Sequence, residues 1–197
     1  MSETGAIVAV LAGGQATRMG GAKATLALRG RPLISYPLAA AREAGLQAVV
    51  VAKHATALPA LAEPVIVEPE HPIHPLCGVL AALDFAAARP DEPAVLVAAC
   101  DMPFLTGPLL AWLAGLQGPV MATLEGLPQP MLARVEPAHR ARLQSALDSQ
   151  AALGAALSSL SPRLVAEREL GRFGEPARLL FNVNRPQDLR TAEGWLG

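Results

Sequence analysis

The first half of the chain alternates short apolar runs with longer stretches of helical periodicity. Four Val- and Ala-rich runs predict strands at Ala6–Leu11, Gln47–Ala52, Val65–Glu68 and Ala94–Ala99. Such runs are typical of parallel strands that helices cover on both faces. Helices are predicted at Pro32–Ala44, with Gly45 suited to its end, and at Leu76–Arg89, where leucines recur on one stripe. This order predicts an α/β fold with a doubly wound, mostly parallel sheet.

After Gly118 the periodicity is weaker. Strands are predicted at Pro119–Thr123, Met131–Val135, Arg163–Ala166 and Leu179–Val183, and helices at Pro137–Leu147, Gln150–Leu160 and Pro186–Trp195. The stretch Met102–Leu124 has no charged residue and is long enough to span a bilayer, but prolines and glycines divide it. It is therefore predicted to form a turn, a short buried helix and a buried strand. No repeat or linker marks a second domain, so residues 1–197 are predicted to form one domain.

Composition excludes several classes of protein. Hydrophobic residues make up 52% and charged residues 17%, which argues against disorder. The formal net charge of -1 does not favour nucleic acid or an anionic membrane as a partner. The two cysteines, Cys77 and Cys100, lie far apart and lack the spacing of a zinc site. The N-terminal residues show no basic region of a signal peptide, so a cytoplasmic protein with reduced thiols is expected.

A Gly-rich loop with two cations directly follows the first predicted strand. Residues 11–23 have the sequence LAGGQATRMGGAK. Glycines such as Gly13 and Gly14 let backbone N–H groups approach an anion closely, and Arg18 and Lys23 add the positive charge that a triphosphate needs. The spacing matches neither a Walker A loop nor a G-x-G-x-x-G fingerprint. The alternative is a flexible loop with incidental charges.

Polar residues follow two other predicted strands. Asp101 ends the fourth strand, where its carboxylate would lie at the same sheet edge as the Gly-rich loop and suit Mg²⁺. The alternative for Asp101 is a turn ahead of Pro103. Asn182 and Asn184 alternate along the predicted strand Leu179–Val183 and its end, so their amides would share a face. The alternative for these two residues is a strand end and helix cap.

Taken in order, these motifs resemble the molybdenum cofactor guanylyltransferases, the MobA family of the nucleotidyltransferase superfamily. The matching elements are LAGG and RMGG with a lysine at 11–23, GRPLI at 30–34, PLCGVLAAL at 75–83, CDMPFL at 100–105, QP at 129–130 and NVNRPQDL at 182–189. The resemblance implies a Rossmann-like α/β/α sandwich. It also implies transfer of GMP from GTP·Mg²⁺ to the phosphate of molybdenum-bound molybdopterin, with release of pyrophosphate.

The resemblance assigns roles to individual residues. The nucleotide-binding residues would be Leu11, Ala12, Gly13, Gly14, Arg18, Lys23, Glu68, Gly78 and Asp101. The catalytic residues would be Arg18, Lys23 and Asp101. Asp101 would also hold the metal, and Asn182 and Asn184 would face the acceptor. Handing over an unstable cofactor favours transient contacts with the proteins that receive it.

The chain departs from the family pattern at four positions. Ala22 stands where an acidic residue is common, Ala52 where the family has Asn, and His74 where it has Gly. Glu68 replaces an Asp that contacts the base, and its carboxylate can still accept from the N1–H and N2–H₂ groups of guanine. The departures concern the choice of nucleotide and acceptor more than nucleotidyl transfer itself.

Two alternatives therefore stand beside guanylyl transfer. One is a related transferase that uses CTP or another nucleotide, or another phosphate acceptor; the pair Gly13-Gly14 favours GTP, because cytidylyl relatives commonly have Ala-Gly there. The other is a non-catalytic nucleotide-binding regulator. The presence of Arg18, Lys23 and Asp101 argues against a regulator, because the loss of any one of them would be the simplest way to end catalysis.

Overall fold

The computed structural model describes residues 5–13, 15–16 and 21–196. In chain order its strands are β1 (Ala6–Leu11), β2 (Gln15–Ala16), β3 (Gly21–Ala22), β4 (Ala27–Leu28), β5 (Arg31–Pro32), β6 (Ala48–Ala52), β7 (Val65–Val67), β8 (Ala94–Ala99), β9 (Val120–Leu124), β10 (Leu127–Val135) and β11 (Arg163–Val165). The central sheet has seven strands in the order β11-β9-β10-β8-β1-β6-β7. Two further pairs, β2–β3 and β4–β5, form small antiparallel sheets beside it.

Most neighbours in the central sheet are parallel. β1 pairs in parallel with β6 and β8, β6 with β7, and β9 with β11, whereas β10 runs antiparallel to β8 and β9. Leu11, the last residue of β1, lies opposite both Val51 and Ala99. The parallel strands therefore end together, and the residues that follow them meet at one edge of the sheet.

Helices cover both faces of the sheet. They are α1 (Ser35–Glu43), α2 (Pro75–Ala87), α3 (Gly107–Ala114), α4 (Arg140–Asp148), α5 (Leu153–Ser158), α6 (Glu167–Leu170), α7 (Pro176–Leu179) and α8 (Pro186–Trp195), with 3₁₀ turns at Lys23–Thr25 and Pro137–His139. Apolar side chains of α1 and α3 pack on one face, and those of α2, α4 and α5 pack on the other. The predicted α/β/α sandwich with a doubly wound, mostly parallel sheet is confirmed.

The strand predicted at Leu179–Val183 is wrong. Helix α7 ends at Leu179, and residues 181–184 lie outside helices and strands. The carboxylate of Glu175 caps α7 by accepting from the N–H groups of Ala177 (3.0 Å) and Arg178 (2.7 Å), which stabilises a helical turn. Val183 is buried without a strand ladder, and its N–H donates to the carbonyl oxygen of Asp101 at 2.9 Å.

Several predicted boundaries also differ from the structure. The first helix begins at Ser35 and not at Pro32, because Arg31–Pro32 pairs with Ala27–Leu28. The helix predicted from Gln150 begins at Leu153, since Gln150 has a positive φ of 57°. The stretch 102–124 forms a turn, α3 and β9, as predicted. Within the described residues, no helix combines the length and the apolar character that crossing a membrane would require.

Candidate active site

A cavity of about 350 Å³ opens where β1, β6, β7 and β8 end. Its lining residues come from all four strand ends, the 3₁₀ turn at Lys23–Thr25, the start of α2, strand β10 and the segment before α8. They are Leu11, Gly13, Lys23, Val51, Glu68, Pro75, Gly78, Ala99, Cys100, Asp101, Met131, Asn182 and Asn184. This is the place where open α/β sheets bind ligands, at the carboxyl ends of their strands.

The cavity gathers most of the residues that the sequence singled out. Those that line it are Leu11, Gly13, Lys23, Glu68, Gly78, Asp101, Asn182 and Asn184. Ala12 is not brought to it, because this residue is buried in the core and its N–H donates to the carbonyl oxygen of Val51 at 2.8 Å. Gly14 and Arg18 lie outside the described residues.

Five lining residues carried no sequence assignment: Val51, Pro75, Ala99, Cys100 and Met131. Pro75 and Cys100 belong to the motifs PLCG and CDMP, so the motifs contained a usable signal. Met131 had none, because it faces the cavity where the register between β9 and β10 shifts between Gln129 and Ala133. A bulge of this kind re-aims side chains in a way that periodicity does not reveal.

One end of the cavity holds three joined polar side chains, here called the Lys23 cluster. The Lys23 Nζ donates to Asp101 Oδ2 at 2.6 Å and to Asn184 Oδ1 at 2.5 Å. Both charged side chains are largely buried, with exposed fractions of 17% for Lys23 and 9% for Asp101. Within the described residues, hydrogen bonds to this carboxylate reach only Oδ2. The cluster thus combines one cation with carboxylate and amide oxygens, the ligand types that hard divalent cations prefer.

The segment that carries Asn184 is fixed at both ends. The Val183 N–H binds the Asp101 carbonyl oxygen, and the Asp188 Oδ2 accepts from the N–H groups of Asn184 (2.9 Å) and Arg185 (2.8 Å). The Asn182 amide nitrogen donates to the Leu180 carbonyl oxygen at 2.9 Å. Although the predicted strand is absent, Asn182 and Asn184 both line the cavity, as their spacing predicted.

The other end of the cavity holds the Glu68 carboxylate between two glycines, a space here called the glycine slot. A Cβ atom at Gly13 would overlap Glu68 Oε1, and one at Gly78 would lie 3.0 Å from Glu68 Oε2. Burial raises the pKa of the Glu68 carboxyl, the Lys53 ammonium lowers it, and the Glu70 carboxylate raises it. Among the described residues, none donates a hydrogen bond to this carboxylate. The glycine slot therefore presents two acceptor oxygens to which no described residue donates.

Helix α2 begins beside the glycine slot. The His74 Nδ1 accepts from the Leu76 N–H at 3.1 Å, so His74 is the N-cap of the helix, and Pro75 occupies its first turn. The N-terminus of a helix carries partial positive charge. His74 thus stabilises the start of the helix.

The cysteine thiols near the cavity are not activated. Burial raises the pKa of Cys100 to about 12, with a further rise from the Asp101 charge, and burial also raises the pKa of Cys77. Both thiols are therefore protonated at neutral pH and are poor nucleophiles. In the part of the chain that is described, no three His, Cys, Asp or Glu residues cluster as a metal-binding group.

Comparison with known proteins gives the family. The family described as MobA-like NTP transferase domain matches residues 8–188. A molybdenum cofactor guanylyltransferase of Cereibacter sphaeroides is 37% identical over 195 residues, 95% of each chain. Two solved structures share the fold: molybdopterin-guanine dinucleotide biosynthesis protein A of Archaeoglobus fulgidus (24% identity, 96% and 97% of the two chains, TM-score 0.78) and 2-C-methyl-D-erythritol 4-phosphate cytidylyltransferase of Thermus thermophilus (22%, 96% and 97%, TM-score 0.69). The chain belongs to the MobA-like NTP transferase family.

Proposed function

We propose that this protein is a guanylyltransferase that transfers GMP from GTP to the phosphate of molybdenum-bound molybdopterin and releases pyrophosphate. The observation that carries the proposal is the pair of unlike ends in one cavity: the Glu68 carboxylate in the glycine slot and the Lys23 cluster. The first suits a base with two adjacent donors, and the second suits a charged phosphate chain. The relative in Cereibacter sphaeroides, 37% identical, is named molybdenum cofactor guanylyltransferase.

The glycine slot favours guanine over other bases. The edge of guanine offers N1–H and N2–H₂ side by side, and the two oxygens of Glu68 can accept from both. Adenine and cytosine offer an amino group beside an acceptor nitrogen, which would leave one carboxylate oxygen facing a lone pair. A site built to accept hydrogen bonds rejects ligands that leave its buried polar atoms unpaired.

The Lys23 cluster suits the triphosphate and its metal. The Asp101 carboxylate and the Asn184 amide oxygen fit Mg²⁺, which is commonly held in proteins by one or two carboxylates together with phosphate oxygens and water. Magnesium bound there would neutralise charge that develops on the α-phosphate and the leaving pyrophosphate. The Lys23 ammonium would hold phosphate oxygens by charge-assisted hydrogen bonds, with Arg18 proposed to do the same.

The reaction is a displacement at the α-phosphorus. An oxygen of the acceptor phosphate forms a new P–O bond, the bond to the β-phosphate oxygen breaks, and pyrophosphate leaves with the electron pair. The acceptor phosphate is already ionised at neutral pH, so no side chain has to remove a proton. Asn182 and Asn184 would orient the acceptor with neutral amides, and catalysis would rest on positioning and charge neutralisation.

The proposal also covers the compartment, the domain organisation and the partners of the enzyme. We infer a cytoplasmic enzyme in which residues 1–197 act as one nucleotidyltransferase domain, supported by the family match over residues 8–188. The net charge of -1 supports neither nucleic acid nor a membrane surface as a partner. Transient contacts with proteins that receive the finished cofactor belong to the same proposal.

Calorimetric titration with GTP, CTP, ATP and UTP, each with Mg²⁺, tests the choice of nucleotide. We expect GTP to bind at least about tenfold more tightly than the others. An assay of GMP transfer to molybdenum-bound molybdopterin, with and without Mg²⁺, then tests the reaction. Tighter binding of CTP would overturn the guanine assignment and favour a cytidylyltransferase. Tight GTP binding without transfer to any phosphate acceptor would favour a regulator.

A further inference from the structure

Lys53 and His54 bind the chain that follows Glu68 through hydrogen bonds to Pro69 and Glu70, a set here called the Lys53 clasp. Lys53 lies directly after β6, and its Nζ donates to the carbonyl oxygens of Pro69 at 2.9 Å and Glu70 at 2.5 Å. The neighbouring His54 N–H donates to the Glu70 carboxylate at 3.1 Å. Three hydrogen bonds thus join the segment after β6 to the segment after β7.

The Lys53 clasp helps to position Glu68, because the short edge strand β7 alone makes few hydrogen bonds before it. β7 has three residues and is the edge strand of the sheet, so among the described strands only β6 pairs with it. The last ladder bond runs from the Glu68 N–H to the Ala52 carbonyl oxygen at 2.9 Å. Beyond that bond, residues 69 and 70 accept hydrogen bonds from Lys53 and His54, and the next contact along the chain runs from Cys77 Sγ to the Pro72 carbonyl oxygen at 3.3 Å.

The Glu68 carboxylate lies close to the backbone of both glycines of the slot. Its Oε2 is 3.0 Å from the point where a Cβ atom would stand at Gly78, so it occupies space that only a glycine leaves open. A shift of the backbone at Pro69 would turn the Glu68 side chain within this space. Accurate placement of its two oxygens is needed if two donors on one ligand are to be bound together.

The charge of Lys53 opposes the effect of burial on Glu68. Burial and the Glu70 carboxylate raise the pKa of the Glu68 carboxyl, while the Lys53 ammonium lowers it. From α2, the Cys77 thiol faces the same region and is protonated, because burial raises its pKa. The remaining described charges that line the cavity, Lys23 and Asp101, are paired with each other.

We propose that Lys53 is a positioning residue of the nucleotide site, which fixes the chain after Glu68 through two carbonyl groups and stabilises the ionised carboxylate by its positive charge. Lys53 does not line the cavity and acts through Glu68. The test by GTP affinity rests on the proposed function, whereas the test by titration of the Glu68 carboxyl does not.

Three substitutions separate the hydrogen bonds of Lys53 to Pro69 and Glu70 from the effect of its positive charge on Glu68. Lys53→Met removes both, Lys53→Gln keeps a donor without charge, and Lys53→Arg keeps charge and donors. Arg42→Met is the matched control, because it removes one positive charge from an exposed ion pair with Glu63. At a pH where Glu68 is half ionised in the wild type, Lys53→Met should weaken GTP binding by about threefold to tenfold, and Lys53→Arg should restore most of it.

The test has one readout that needs no nucleotide. The ¹³C signal of the Glu68 carboxyl, assigned by its loss in Glu68→Gln, is titrated in the wild type and in each variant without ligand. We expect the midpoint to rise in Lys53→Met and Lys53→Gln and to stay in Arg42→Met. An unchanged midpoint in the two uncharged variants would overturn the charge role, whether or not the wild type binds GTP.

A double-mutant cycle tests whether Lys53 acts through Glu68. In a Glu68→Gln background, Lys53→Met should change GTP affinity by less than about twofold. An equal loss in both backgrounds would overturn the proposal, because Lys53 would then act elsewhere. Failure of the wild type to bind any nucleotide would contradict the proposed function but leave the ¹³C result to decide the role of Lys53.

Discussion

The two ends of the cavity hold their carboxylates in opposite ways. Asp101 is paired at 2.6 Å with Lys23, so its charge is compensated within the protein. Glu68 lies between Gly13 and Gly78, where space is tight and, among the described residues, no donor satisfies it. One end is thus held by an ion pair within the protein, and the other by close packing around two acceptor oxygens to which no described residue donates.

This difference predicts separate consequences for substitutions. In the Lys23 cluster, loss of a charge should lower the rate of transfer, because its groups neutralise charge that grows during the reaction. In the glycine slot, a change of shape should lower nucleotide affinity and selectivity, since the base is bound equally before and during the reaction.

The largest effect is expected for Asp101→Asn. The substitution keeps the shape but removes the charge that holds Lys23 and suits Mg²⁺, so kcat should fall by about 10² to 10³. GTP affinity should change far less. Steady-state kinetics over a series of Mg²⁺ concentrations measure both. Asp84→Asn is the control, because Asp84 pairs with Arg140 on the surface. Near-normal Mg²⁺-dependent turnover in Asp101→Asn would remove the metal assignment.

The glycine slot is broken most directly by Gly13→Ala. The new Cβ would overlap Glu68 Oε1, and the flexible carboxylate would have to leave its place. GTP affinity should fall by about tenfold to a hundredfold, with little change in thermal stability, because a side-chain end moves and not the backbone. Gly5→Ala is the control, since nothing lies within 4 Å of a Cβ there. Calorimetry that shows equal GTP affinity in both variants would contradict the slot.

Much of the fold and part of this contrast follow from the sequence. Ala6–Leu11 and Ala94–Ala99 form strands with the predicted bounds, and both are fully buried, as their unbroken apolar sequences indicated. Parallel strands bring their carboxyl ends together, so Asp101 was expected beside the Gly-rich loop. Lys23 follows that loop, and its ion pair with Asp101 agrees with this expectation.

The rest depends on contacts between distant elements. The apolar run Leu179–Val183 looked like a strand, but Val183 is buried against side chains such as Leu28 and Phe104, which no local pattern reveals. The glycine slot likewise depends on how α2 packs against the sheet, since that packing brings Gly78 to Glu68. The sequence therefore predicted most of the residues that line the site, but it did not predict the contacts that hold them in place.

The pH dependence of Glu68 sharpens the comparison. Its pKa is raised above the ordinary value of 4.5, so the fold loses stability as pH rises through the raised pKa, while GTP affinity increases as the carboxylate ionises. Glu68→Gln should therefore gain stability relative to the wild type above pH 4.5, yet bind GTP about tenfold more weakly at neutral pH. Thermal melts and calorimetry over a pH series measure both. Parallel stability curves would contradict the raised pKa.

The smallest effect is expected at Asp188, which supports the Lys23 cluster from outside. Asp188→Ala removes the acceptor for the N–H groups of Asn184 and Arg185, and should cost about 0.5–2 kcal/mol of stability. Turnover should fall by about threefold to tenfold with GTP affinity unchanged, because Asn184 would no longer be held against Lys23. Asp188→Asn should restore most of the rate by keeping an acceptor oxygen.

Asp148→Ala is the matched control for Asp188→Ala, because Asp148 accepts from Gln144 at 2.9 Å on the exposed surface of α4. Melting temperature and kcat, measured on the same variants, separate an effect on the position of Asn184 from a loss of folding stability. If Asp188→Ala loses stability but keeps its full rate, the 2.5 Å bond from Lys23 and the bond from the Val183 N–H to the Asp101 carbonyl oxygen must be enough to hold Asn184. The Lys23 cluster would then be held by its own ion pair and hydrogen bonds, whereas the glycine slot would depend on the residues packed around it.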